Sequence, residues 1–76
     1  MKHATITGAE LRRARQAAGW SGTRLAEQVG VHWNTVYRWE RGELAITAPM
    51  ARMIRLSLPG AGREVLRAAR GGRGRQ

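Results

Sequence analysis

The side chains of this sequence are poorly suited to catalysis and well suited to binding anions. The 76 residues include five Glu, two isolated His and no Asp or Cys, so they offer neither a nucleophile–base pair nor a plausible metal cluster. Thirteen residues are Arg, whose guanidinium group binds phosphate and guanine edges in a fork geometry. The composition therefore predicts a protein that is not an enzyme, holds no cofactor or metal, and binds an anionic partner.

The charge balance indicates which anion this is. Fourteen Lys and Arg stand against five acidic residues, which gives a net charge of +9. Such an excess in a short chain is typical of proteins that bind nucleic acid, and it favours nucleic acid over an anionic membrane. The alternative is that the Arg residues only form a solvated surface, and composition alone leaves that alternative open.

Length and composition also limit the class of protein. A chain of 76 residues can form one domain with a small core, which a second protomer would stabilise. The absence of Cys excludes disulfide bonds and is typical of a reducing compartment. No apolar stretch approaches the roughly 20 residues that cross a bilayer, and the first ten residues lack the apolar run of a signal peptide. We therefore expect a cytoplasmic protein with no membrane partner.

Capping residues and glycines divide the first half of the chain into short helices. Thr7 precedes Glu10 by three residues, which is the spacing of a capping box, and Gly19 can end the helix that follows. Ser21 and Gly30 bound a second helix of about two turns in the same way. Two helices are therefore predicted before residue 31.

Three further helices are predicted after this point. The third begins at His32, a weaker N-cap than Ser or Thr, and ends near Gly42. Thr47 opens a fourth, which Pro59 stops, and a weaker helical segment covers residues 62–70.

No segment shows the alternation of a strand, so we expect an all-α fold, a compact bundle of about five short helices. The predicted organisation is a flexible N-terminus over residues 1–6, one domain over 7–70, and a disordered basic tail over 71–76.

The second and third helices are joined by the short segment "VGV", so they must cross at a steep angle. Ala26 supplies the small residue needed at the crossing, and Gly30 supplies the turn. Over residues 7 to 58 the sequence resembles the Cro/repressor (XRE-like) helix-turn-helix family of DNA-binding regulators. The residues that carry this resemblance are Leu25, Ala26, Glu27, Gly30, Val31, Thr35, Val36 and the segment "RWERGE" from Arg38 to Glu43.

The resemblance implies a lambda-repressor-like bundle in which the helix from His32 to Arg41 lies in the major groove of double-stranded DNA. The sequence departs from the family pattern at Gly22, where Gln is common, and at His32, where Ser or Thr is common. Gly22 cannot make the side-chain contact that supports groove binding in the family.

Helical geometry separates the faces of this third helix. At about 100° per residue, Val36 and Trp39 face the core while Asn34 and Arg38 face away from it. Trp33 lies on the boundary, where it either covers the core edge or contacts a sugar or thymine methyl group. Arg suits the O6 and N7 atoms of guanine, and Asn suits the N6 and N7 atoms of adenine. With the groove orientation that the resemblance implies, the expected base contacts are Trp33, Asn34, Tyr37 and Arg38.

The resemblance also implies residues that hold the DNA backbone, although ordinary solvated surface remains the alternative for each. The expected phosphate contacts are Thr23, Arg24, His32, Thr35 and Arg41. For His32 an N-cap role is the alternative. Glu40 would be repelled by phosphate, and the resemblance suggests that it forms a structural ion pair with Arg15.

These features predict a small transcriptional repressor or autoregulator of phage or mobile-element type, which binds a palindromic operator as a homodimer. One alternative is the antitoxin of a toxin–antitoxin pair, which would have a toxin as a second partner. Another is a nonspecific nucleic-acid coater, which the Arg-containing tail favours. Candidate dimer contacts, for each of which core packing is the alternative, are Met53, Leu56, Val65 and Leu66.

Overall fold

The computed structural model describes residues 6–74, with side chains as far as Arg67. This part of the chain forms five α-helices and no strand, which confirms the predicted all-α fold. The helices are α1 (Gly8–Ala17), α2 (Gly22–Val29), α3 (Trp33–Glu40), α4 (Ala48–Ser57) and α5 (Gly60–Gly74). None of these helices is long and apolar enough to cross a bilayer.

The helices start where the sequence places their caps. The Thr7 hydroxyl accepts a hydrogen bond of 3.1 Å from the Glu10 amide, and the Glu10 carboxylate accepts one of 3.0 Å from the Thr7 amide. This reciprocal pair is the predicted capping box. At the start of α2, the Ser21 hydroxyl accepts a 3.0 Å bond from the Arg24 amide. Each cap satisfies an amide that has no partner within its own helix.

Glycines in the left-handed conformation fix the ends of the first three helices. Gly19, Gly30 and Gly42 have φ values of +76°, +77° and +77°. A side chain at any of these positions would be strained, because the Cβ atom disfavours positive φ. The short connections therefore hold α1, α2 and α3 in fixed relative positions.

A single core lies between these helices. Helices α2 and α3 pack together, and their buried residues are Leu25, Ala26 and Val29 on α2 and Val36 and Trp39 on α3. Among the residues whose side chains the structure describes, the buried hydrophobic ones are Ile6, Leu11, Ala14, Leu25, Ala26, Val29, Val36, Trp39, Ile46, Ala51, Ile54, Leu58 and Leu66. Trp20 and Val31 pack against its edge, as expected for residues that precede the α2 and α3 caps.

The two ends of the described chain differ from the predicted organisation. Ile6 is buried, so the core begins one residue before the predicted domain start, because its side chain packs with the same core as Leu11. Helix α5 is longer than predicted and continues to Gly74, which is four residues into the segment assigned to the tail. Residues 1–5 and 75–76 lie outside the described residues, and mobility of the tail in solution stays a prediction.

Helix α5 approaches α1 closely through a glycine. A Cβ atom at Gly62 would lie 2.7 Å from the carbonyl oxygen of Ala14 and 3.0 Å from the Cβ of Ala18. One turn later, Leu66 is only 2% exposed. Leu66 is therefore a core residue and not a dimer contact, which corrects that candidate assignment, because α5 turns this side of the helix towards α1.

We predict that Gly62→Ala destabilises the protein by about 1–3 kcal/mol, since the added methyl group meets backbone that cannot rotate away. Gly60→Ala is the matched control in the first turn of the same helix, because a Cβ there meets nothing within 4 Å. The control should leave stability unchanged or raise it by up to about 1 kcal/mol. Urea unfolding of both variants measures the difference, and equal stabilities would contradict the close approach of α1 and α5.

Candidate functional site

Helix α3 presents one face to the core and the opposite face to solvent. Val36 and Trp39 anchor it, with exposed fractions of 1% and 4%. Asn34 and Arg38 are exposed on the other face, as the helical geometry predicts. The protein therefore displays a hydrogen-bonding surface on a helix that buried side chains hold against the core.

Two aromatic side chains lie beside these polar groups. Trp33 and Tyr37 are one helical turn apart and are 55% and 50% exposed. Of the two alternatives for Trp33, the structure therefore places the ring outside the core, with its centroid 5.5 Å from that of His32. Large apolar groups at a polar surface can make contact with a thymine methyl group or a sugar.

His32 caps the start of α3. Its Nδ1 atom accepts a 3.1 Å hydrogen bond from the amide of Asn34, so the neutral ring carries its proton on Nε2. The ring is exposed, and this Nε2–H group can donate to an acceptor outside the protein. The cap and the predicted phosphate contact are thus compatible, because they use different nitrogen atoms.

Gly22 leaves an open depression between α2 and α3. A Cβ atom at this position would touch only Val36, at 3.9 Å. The depression brings together Thr23 from the first turn of α2 with Trp33 and Tyr37 from α3. Where the resembling family commonly has a Gln side chain, this protein has open space beside the exposed aromatic rings.

Beneath this surface, Arg15 of α1 and Glu40 of α3 form the predicted ion pair. Arg15 Nε lies 2.7 Å from Glu40 Oε2, and Arg15 Nη2 lies 3.1 Å from Glu40 Oε1. Arg15 Nη1 also donates to the carbonyl oxygen of Trp20, at 2.9 Å. The side chains are only 16% and 11% exposed, so solvent screens the pair weakly. This network joins α1, the turn before α2, and the end of α3.

Glu43 is a further residue of this surface, and the sequence did not predict it. Glu43 Oε2 lies 2.9 Å from Arg41 Nη2, and Glu43 Oε1 lies 3.9 Å from Arg38 Nε. One carboxylate thus stands between the Arg expected to contact a base and the Arg expected to contact a phosphate. The sequence gives little indication of these two contacts, because Glu43 follows the end of α3 and helical spacing does not relate it to either Arg.

Arg41 has a second partner on α3. Its Nη1 atom donates to the Tyr37 hydroxyl at 3.1 Å, and its guanidinium carbon lies 5.1 Å from the centroid of the Tyr37 ring. The hydrogen bond to Tyr37, and after it the charge of Glu43, raise the pKa of Arg41 above its usual value. Arg41 therefore stays cationic, and its direction is set by two neighbours.

The remaining predicted residues occupy less connected positions. Arg24 is exposed, and its guanidinium carbon lies 5.3 Å from the Trp20 ring centroid. Thr35 is half-buried. Among the described residues no group of His, Cys, Asp or Glu is placed to hold a metal ion.

Comparison with known proteins agrees with this geometry. The family described as "Helix-turn-helix domain" matches residues 7–58, which run from the α1 cap to the end of α4. A protein of Pyrobaculum aerophilum named "Putative HTH-type transcriptional regulatory protein" is 53% identical over 47 residues. This match covers 62% of the chain but only 18% of the relative. No solved structure matches the chain significantly.

We predict that Glu40→Gln lowers the free energy of unfolding by about 1–3 kcal/mol, because it leaves the partly buried Arg15 without its anionic partner. Glu27→Gln is the matched control on the exposed side of α2 and should change stability by less than about 0.5 kcal/mol. Thermal unfolding of the two variants compares them. A Glu40→Gln protein as stable as the control would show that the pair does not hold α1 against α3.

Proposed function

The chain belongs to the helix-turn-helix domain family, and from this premise we propose that it binds double-stranded DNA as a transcriptional regulator. The observation that carries the proposal is the exposed face of α3, where Asn34 and Arg38 lie beside the Trp33 and Tyr37 rings. An α-helix fits the major groove, and these side-chain types match base edges and methyl groups there. The net charge of +9 supplies the attraction to phosphate.

The two Arg residues at the end of α3 have different tasks under this proposal. Arg38 lies on the outward face with Asn34 and contacts a base edge. Arg41 is the C-cap of α3, where its contacts with Tyr37 and Glu43 hold its side chain at the end of the helix, and it contacts a phosphate. Phosphate contacts set the register of the helix, and base contacts set its sequence preference.

In the protein without DNA, Glu43 lies beside both of these Arg side chains. Its carboxylate holds Arg41 by a close ion pair and lies near Arg38, and all three side chains are about half exposed. Ion pairs as exposed as these contribute little to stability, so a phosphate or a guanine edge can replace the carboxylate. Glu43 thus reduces the attraction of these cations to DNA that offers no better partner.

We further propose that the regulator binds a palindromic operator as a homodimer and acts as a repressor or autoregulator. Helix α3 has eight residues and is about 12 Å long, so one copy reads only a few base pairs. Two copies placed about 34 Å apart would read two half-sites on one face of the DNA. Met53 and Leu56 on α4 are exposed and are the candidate apolar contacts between the copies.

Selection of bound duplexes from random-sequence DNA tests this proposal. We expect enrichment of an inverted repeat whose half-site centres are about one turn of DNA apart, and sedimentation should give two chains per site. Binding without enrichment of any sequence would instead support a nonspecific coater. Saturation of the site by one chain would contradict the dimer.

We predict different effects for Arg38→Ala and Arg41→Ala on the selected duplex. Arg38→Ala should cost about 1–3 kcal/mol of binding free energy and relax preference at one position per half-site. Arg41→Ala should weaken binding to all DNA sequences alike. It should also reduce the slope of log affinity against log salt concentration by roughly 0.9 for each phosphate contact removed. Affinities for the selected and a scrambled duplex, measured at several salt concentrations, separate the two roles.

The variant Arg41→Ala also leaves Glu43 without its close partner, so its charge can repel DNA. The double variant Arg41→Ala with Glu43→Gln controls for this effect and should retain the smaller salt slope. If Arg38→Ala weakened binding to both duplexes equally while Arg41→Ala weakened binding only to the selected one, the proposed orientation of α3 would be wrong.

A further inference from the structure

A second cleft lies between α1 and the end of α3, and it shares Arg15, Tyr37 and Glu40 with the neighbouring depression at Gly22. Arg12 and Arg15 line it from α1, and Tyr37, Glu40 and Arg41 line it from α3. Neither the sequence analysis nor the family resemblance assigns a role to Arg12. The cleft borders the exposed face of α3, because Tyr37 and Arg41 belong to both surfaces.

The charges of the cleft do not cancel. Arg15 and Glu40 neutralise each other through their bidentate contact. Arg12 is exposed and forms no hydrogen bond or ion pair with the described residues, so its charge is uncompensated nearby. Arg41 adds a second cation, whose only anionic partner, among the residues described, is the exposed Glu43. The cleft therefore attracts an anion.

The Tyr37 hydroxyl adds a hydrogen-bond donor at the same place. Its oxygen accepts the bond from Arg41 Nη1, so its own hydrogen is available to a further acceptor. Two guanidinium groups and a hydroxyl that face one opening match the several acceptor oxygens of a phosphodiester.

We propose that this cleft binds one backbone phosphate of the DNA, and that Arg12 of α1 is a phosphate contact outside the helix-turn-helix pair. The inference rests on the proposed DNA binding and extends the contact surface from α2 and α3 to α1. Because Arg15 and Glu40 fix α1 against α3, a phosphate held by Arg12 sets the position of α3 along the groove. This contact adds affinity that falls with salt and does not read sequence.

Arg12→Gln and Arg13→Gln form a matched pair that tests the inference. The two residues are neighbours on α1, both are exposed, and both substitutions remove one charge, but only Arg12 lines the cleft. On the duplex enriched from random DNA, Arg12→Gln should reduce the log–log salt slope by roughly 0.9 per half-site, whereas Arg13→Gln should change it little. Circular dichroism and thermal unfolding confirm that both variants fold.

Neutral phosphates in the DNA locate the contact. Single methylphosphonate substitutions along both strands remove one backbone charge at a time. We expect one position in each half-site at which the substitution lowers the affinity of the unaltered protein and of Arg13→Gln several-fold. At that position it should not lower the affinity of Arg12→Gln any further. Such loss of additivity identifies the phosphate that Arg12 touches.

The outcomes separate this inference from the function on which it rests. Equal changes in slope for the two variants, or methylphosphonate effects that stay additive in Arg12→Gln, would overturn the Arg12 contact and leave DNA binding intact. Failure of the unaltered protein to bind any duplex would overturn the proposed function and this contact with it.

Discussion

The ion pair between Arg15 and Glu40 is the constraint on which the candidate site depends. It ties the last turn of α1 to the last residue of α3, while the third nitrogen of Arg15 holds the backbone at Trp20, just before α2. Close to this pair, a Cβ atom at Gly8 would lie 2.7 Å from the Glu40 carbonyl oxygen, so the start of α1 abuts the end of α3. Charge and close backbone contact therefore fix the same junction from two sides.

This junction explains how a small domain can present a well-positioned surface. The α3 helix has only eight residues, of which two, Val36 and Trp39, are buried. Apolar packing of this extent does little to prevent α3 from rotating or shifting against the core, because apolar contacts are not directional. A bidentate pair is directional, and it fixes the rotation of α3 about its axis and thus the direction in which Asn34 and Arg38 point.

Features encoded by neighbouring residues were predictable from the sequence. The capping box of Thr7 and Glu10, the left-handed glycines that end α1 and α2, and the inward positions of Val36 and Trp39 all follow from local spacing. Such features depend on backbone geometry within one or two turns. The partners Arg15 and Glu40 are 25 residues apart, and only the family resemblance suggested their contact.

Features that depend on how separate segments meet could not be predicted in this way. The approach of Gly62 to α1 is set by the path of α5, and no local pattern distinguishes it from Gly60. Leu66 has the same apolar character in a core as in an interface, so spacing alone could not decide its role. Glu43 and Arg12 acquire their neighbours only when the chain turns after α3 and α1 packs against its end.

The position of Glu43 has a consequence for how such a protein would move along DNA. A basic domain that binds every phosphate tightly is slowed by each stretch of DNA that it meets, and its search for a site becomes long. With Glu43 holding Arg41 and lying near Arg38, part of the cationic surface would already be occupied during such a search. Arg38 would leave the carboxylate where a matching guanine edge is offered, and Arg41 where a phosphate lies within its reach. The same carboxylate would thus shorten residence at wrong sites and leave residence at the right site long.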